Sequence, residues 1–126
     1  MGLRYLDLLG ATKVLYAAQD LLLEHGLATG IVRHPYTHAL SPTGSLLKAS
    51  GVKDELIALY DGTPDSVGLT NTKWLLVHEL TNCIEAIINT DENNDIDIET
   101  WGDSVYVGDV VKVFEKLINL IQSALD

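Results

Sequence analysis

Trp74, Leu75, Val77, Leu80, Cys83, Ile84, Ile87 and Ile88 recur at helical spacing over several turns between about Thr72 and Asn89. A half-buried strand alternates at every second residue and ends much sooner, so this pattern commits the segment to a helix with a broad apolar face. Such a face has to be covered by other elements, and two further segments can cover it. Val14, Leu15, Ala17, Ala18, Leu21 and Leu22 repeat at three and four residues between Lys13 and His25, with Thr12 placed as a cap and Gly26 as a stop. Val110, Val111, Phe114, Leu117, Ile118, Ile121 and Leu125 form the same kind of stripe in a helix expected over Val107 to Ala124. These patterns predict a mainly α protein: a compact three-helix core with short accessory helices and room for a small β-hairpin.

The connections are less regular. Ser41-Pro42 predicts a helix start, because serine caps and proline tolerates the first turn, and a short helix follows to Ser50 before Gly51. Asp54 to Tyr60 reads as another short helix, closed by Asp61-Gly62, and Thr63 to Thr70 as a turn-rich link whose Thr70 or Asn71 caps the central helix. Leu27 to Leu40, with Gly30, Ile31-Val32 and Pro35, reads as a loop with one short strand. Ile96-Asp97-Ile98-Glu99 alternates in character and suggests a brief edge strand able to pair with Ile31-Val32.

A length of 126 residues fits one domain over 1–126, and 47% apolar residues exclude a disordered chain. Eighteen acidic against eight basic side chains give a formal charge of -10. That balance repels phosphate and anionic lipid, which argues against direct nucleic-acid binding and against membrane attachment. It is compatible with a basic protein partner, or with plain solubility, which needs no special assumption. Neither a long apolar span nor a signal-like segment occurs at Met1 to Leu9, so a cytoplasmic location is expected. The single Cys83 permits no internal disulfide and reads as a small buried hydrophobe.

The densest acidic cluster, Asp91 to Glu99, offers oxygens at alternating positions, as a calcium loop does. Ile96 stands where the sharp turn needs glycine, and Gly102 stands where a bidentate glutamate belongs. It reads as a solvated acidic loop, with no metal implied. His78-Glu79 opens a zinc-protease pattern, but Asn82 occupies the position of the second histidine. Ser41, Ser45 and Ser50 have no nucleophile-elbow context, phosphate-cradling and dinucleotide-binding glycine patterns are missing, and no cofactor is implied. Arg33, His34, Tyr36 and His38 remain as candidate ligand- or partner-binding residues, because an extended segment sets His34, Tyr36 and His38 on one side. Trp101 and Asp103 join them, although tryptophan also anchors packing and aspartate also accepts backbone hydrogen bonds.

Four features together carry a resemblance. They are the alanine-containing helix ending Glu24-His25-Gly26-Leu27, the run Ser41-Pro42-Thr43-Gly44-Ser45-Leu46-Leu47-Lys48-Ala49, the triplet Trp101-Gly102-Asp103, and the terminal helix from near Val110. In these the chain resembles a small uncharacterised family of actinobacteria and their phages, domain of unknown function 6197, over roughly Lys13 to Ala124. Where the family has a Gly-Trp-Cys-Gln-Gly-like turn this chain has Gly26-Leu27-Ala28-Thr29-Gly30, keeping the flanking glycines without the tryptophan or cysteine. Ser41 stands at the second cysteine position, and Gly102 replaces an asparagine. The resemblance implies a fold and a phage-related setting, and it brings no reaction with it.

The expectation for function is therefore a noncatalytic accessory or protein-interaction domain acting on a basic protein, with an acidic surface able to compete with nucleic acid. The alternatives are a small enzyme or ligand-binding protein using the His34/His38 loop, and a structural homodimer built on the apolar faces of the central and terminal helices.

Overall fold

Each of the three long apolar patterns is a helix in the computed structural model, which describes residues 5–60, 65–69, 71–92 and 96–125. The helices are α1 (Tyr5–His25), α2 (Pro42–Ala49), α3 (Asp54–Ile57), α4 (Asn71–Glu92), α5 (Ile98–Gly102) and α6 (Val107–Leu125), with a 3₁₀ turn at Asp65–Val67. The expected turn at Asp61-Gly62, the expected cap at Thr70 and loop residues 93–95 lie outside the described residues.

Burial follows the helical period. Leu8, Ala11, Leu15, Ala18 and Leu22 are buried along α1, Val77, Leu80, Ile84 and Ile88 along α4, and Val110, Phe114, Leu117, Ile118 and Ile121 along α6. α1 packs on α6 and α2, α6 also meets α4, and the small α5 bridges α2 and α4. Each large side chain fully buried in this way contributes roughly 1.5–3 kcal/mol relative to exposure, before entropy is set against it. The mainly α expectation holds.

Several local expectations are corrected. α1 begins at Tyr5, so Thr12 is not its cap: its hydroxyl donates to Leu8 O at 3.0 Å inside a helix already formed. The segment 96–99 is not a strand. Asp97 instead caps α5, its carboxylate accepting from Thr100 N–H at 2.8 Å, and a four-residue alternation cannot outweigh a good cap. Ile31-Val32 forms no hairpin either; among the described residues the β pairings are isolated bridges, Leu27 with Leu40 and Arg33 with Leu40. α3 stops at Ile57, and the chain continues to Tyr60 through tighter bonds, Leu59 N–H to Leu56 O and Tyr60 N–H to Ile57 O. Leu75 is exposed, and Cys83 is half-buried against the core, where burial and then the nearby Glu79 push its thiol pKa up.

α2 is short but central, and Pro42 through Leu47 are all buried. Ser41 caps it as expected, its hydroxyl accepting from Gly44 N–H at 3.0 Å. Gly44 lies so close to the returning loop that a Cβ there would overlap the carbonyl oxygen of Val32. A glycine in a helix normally costs about 0.5–1 kcal/mol relative to alanine, so Gly44→Ala would ordinarily stabilise. Here the sign reverses. Gly44→Ala is expected to lower unfolding free energy by about 1–3 kcal/mol through overpacking, at least as much as the roughly 1 kcal/mol lost in Ser41→Ala. Urea unfolding of both variants checks this; a stabilised Gly44→Ala protein would refute the close approach.

Candidate functional site

The loop from Leu27 to Leu40 folds back on itself instead of extending. Ala28 N–H donates to Leu40 O at 2.9 Å, Leu40 N–H to Gly26 O at 3.1 Å, and Ser41 N–H to Val32 O at 2.9 Å. Residues 35–37 form a turn, with Tyr36 and Thr37 N–H groups both donating to His34 Nδ1 at 3.2 Å and His38 at φ 64°. The alternation that would align three side chains is therefore lost. His34 and Tyr36 keep a tilted ring contact at 6.0 Å, whereas His38 turns toward Arg33 and contacts its Nη2 through Nδ1.

Arg33 is mostly buried, with 14% of its side chain exposed, and its Nη2 lies 3.5 Å from Asp54 Oδ2. Lys48 Nζ sits 3.1 Å from Asp54 Oδ1. Burial alone would raise the Asp54 pKa, but Lys48, Arg33 and His38 more than offset it and leave the carboxyl below its ordinary value. This cluster ties the loop to α2 and α3. Trp101 is buried in the core, and Asp103 Oδ1 accepts from Gly30 N–H at 2.7 Å, which ties the end of α5 to the loop. The structure thus joins Arg33 with His38 and His34 with Tyr36, while Asp103 meets the loop only at Gly30.

A different group of side chains surrounds a hollow. Trp74, Val77, His78, Thr81 and Glu85 of α4 face Asp97, Ile98 and Glu99, with Val32, Thr43 and Tyr60 closing the remaining sides. The hollow measures about 230 Å³. That is below the roughly 300–1,000 Å³ of sites for drug-sized ligands, and closer to the scale of one side chain. A more open extension of about 400 Å³ shares Glu85 and Asp97 and adds Asn89, Ile96 and Thr100.

The walls are ordered by specific contacts. The rings of Trp74 and His78, one helical turn apart, stack at 4.8 Å with an 11° interplanar angle. Glu85 Oε2 accepts from Ile98 N–H at 2.9 Å, and Glu99 Oε1 accepts from Thr43 N–H at 3.2 Å. Asp97 is held below the ordinary carboxylate pKa first by the Thr100 side chain and then by its backbone amide. A carboxylate has about four acceptor sites, so one amide orients each glutamate and leaves capacity for a further donor. No lysine or arginine is among the described lining residues. Among the described residues no group of three or more His, Cys, Asp or Glu is arranged to hold a metal ion.

Sequence reasoning placed Trp74 in the core stripe and read His78 only as the opening of an incomplete zinc-protease pattern. The missed signal is Trp74, His78, Thr81 and Glu85 on one edge of α4, at spacings of four, three and four, beside the buried stripe. Glu99 and Thr43, 56 residues apart, are brought together only by tertiary packing.

Searches among protein-family models, curated proteins and solved structures return no match for this chain. Among the described residues, no helix is long and apolar enough to cross a membrane.

The Asp54 cluster has a definite pH signature. Because the folded-state pKa lies below the ordinary 3.8, the stabilisation is complete above that value and fades as pH falls through the lower folded value. The stability difference between the protein and Asp54→Asn is expected to stay constant at neutral pH and shrink only below about pH 4. Urea midpoints of both proteins across an acid series measure it. A gap that closes near neutrality would contradict the assignment.

Proposed function

We propose that this chain is a noncatalytic, cytoplasmic interaction domain that binds a basic protein by receiving a lysine or arginine side chain in the cleft between α4 and α5. The observation that carries this proposal is the convergence of Glu85, Asp97 and Glu99 around a side-chain-sized hollow walled by the Trp74–His78 stack. Carboxylates supply charge-assisted hydrogen bonds, and an aromatic face attracts a cation. Val77 and Ile98 offer apolar surface to the methylene stem of a long basic side chain. The formal charge of -10 steers such a partner inward and repels a bare phosphate backbone.

The cleft is favoured over the His34/His38 loop for a specific reason. Arg33 and His38 are already engaged with each other and with Asp54. The cleft carboxylates, in contrast, are oriented by backbone amides and face a hollow. The resemblance to the phage-associated family supplies no reaction, and the proposal draws nothing from it.

The test uses a lysine- and arginine-containing peptide and its glutamate-substituted counterpart, followed by two-dimensional NMR of the two indole N–H signals. Binding is expected to shift the Trp74 signal, leave buried Trp101 largely unmoved, and weaken as salt is added. Glu85→Gln with Glu99→Gln keeps the carbonyl acceptors for Ile98 and Thr43 but removes two charges. Affinity is expected to fall by about tenfold or more, as for loss of a charged hydrogen bond. Undiminished binding by that double variant, or an unresponsive Trp74, would sink the proposal.

A further inference from the structure

The outer side of α1 carries large apolar groups in an acidic chain. Leu9, Tyr16 and Leu23 are 42%, 43% and 63% exposed and lie seven residues apart. Lys13 and Asp20, also exposed, fall between them, so positions 9, 13, 16, 20 and 23 follow the alternating four–three spacing of a helix–helix seam. At 1.5 Å per residue the stripe runs about 21 Å along the helix. The opposite side of α1 is used in the core, through Leu8, Ala11, Leu15, Ala18 and Leu22. The seam is therefore separate from the folding face.

Reversing the stripe, Leu9, Lys13, Tyr16, Asp20, Leu23, keeps its apolar positions and exchanges its two charges for the opposite sign, so it complements itself when turned end for end. We infer that α1 is the interface of an antiparallel homodimer, with a two-fold axis passing by Tyr16. An isologous contact requires one surface to complement itself, and this stripe does so. Turning a second copy about Tyr16 sets Leu9 against Leu23 of the second copy. The same operation brings Lys13 within one residue's rise, about 1.5 Å along the axis, of the level of Asp20 of the second copy. Both pairs occur twice by symmetry. Lys13 and Asp20 of one chain are about 10 Å apart along their own helix, too far to pair with each other. Among the described residues neither has an ion-pair partner.

Tyr16 is also held in place: Gln122 of α6 donates to its hydroxyl at 3.3 Å. The ring at the axis is thus ordered before association. The broad apolar faces of α4 and α6, by contrast, are largely spent inside the chain, through Val77, Leu80, Ile84 and Ile88 and through Val110, Phe114, Leu117, Ile118 and Ile121. The seam does not use the cleft residues, so the dimer stands or falls independently of the cleft's ligand.

Sedimentation equilibrium of the full chain, from micromolar to millimolar concentration at physiological salt, tests the inference. A reversible monomer–dimer equilibrium is expected, abolished in Leu23→Glu. Lys13→Asp and Asp20→Lys should each weaken association by about tenfold, because each sets like charges opposite one another. The combined exchange, K13D with D20K, restores opposite charges and should recover the original affinity. Helix content by circular dichroism serves as the folding control, since all these positions are exposed. A chain that stays monomeric throughout overturns the inference, as does a double exchange that fails to recover association while remaining folded.

Discussion

The N-terminus of α2 is buried, and its backbone amides must find partners away from water. Leaving such donors unpaired would cost more than most single contacts return. Pro42 removes one donor outright because it has no N–H. Thr43 N–H is taken by Glu99, Gly44 N–H by the Ser41 hydroxyl, and Ser45 N–H by the Ser41 carbonyl. With these settled, the apolar side chains of Leu46 and Leu47 can be fully buried where α1, α3, α4 and α5 meet. The three long helices form a core around this junction, and its polar accounting makes the junction possible.

The same bonds shape the cleft. Glu99 reaches Thr43 because α5 is held in place, and α5 is held by the Glu85 carboxylate on Ile98 N–H and by the close contact of Gly102 with Pro42, where an added Cβ would stand 2.9 Å from two ring carbons. All three cleft carboxylates therefore contribute to the fold while lining the hollow, Asp97 as the cap of α5. A cationic group arriving there meets acceptors whose orientation has already been fixed by folding, so binding need not order them again.

The long helices were legible because their period spans many turns, and the Ser41-Pro42 start was legible because capping chemistry is local. Errors arose where a short pattern had to decide alone. Thr12 has the chemistry of a cap, but Leu8 and Ala11 extend the buried stripe of α1 upstream, and burial outweighs a single hydroxyl. Ile96 to Glu99 alternates like a strand, yet Asp97 can cap, and only the Glu85 acceptor across the fold fixes Ile98 at a helix start. The cleft was hidden for the same reason. Half of Trp74–Glu85 looks like the edge of a core helix, and its counterpart Glu99 is placed by contacts 13 to 56 residues away.

The placement of the two surfaces has a consequence for affinity. The cleft belongs to α4 and α5 with the start of α2, whereas the proposed self-complementary seam belongs to the outer side of α1, which turns its other side to α2 and α6. Pairing through α1 leaves every cleft-lining residue out of the seam. A two-fold pair then presents two equivalent acidic clefts to a partner carrying several basic side chains. One lysine or arginine in a small exposed cleft binds weakly, because solvent screening limits what each charge contributes. Two linked clefts convert the second contact into an intramolecular one, raising avidity without any new kind of interaction, provided that the partner spans the separation. Selectivity would then reside in the spacing of basic side chains on the partner, since a single cleft recognises little more than charge and an apolar stem.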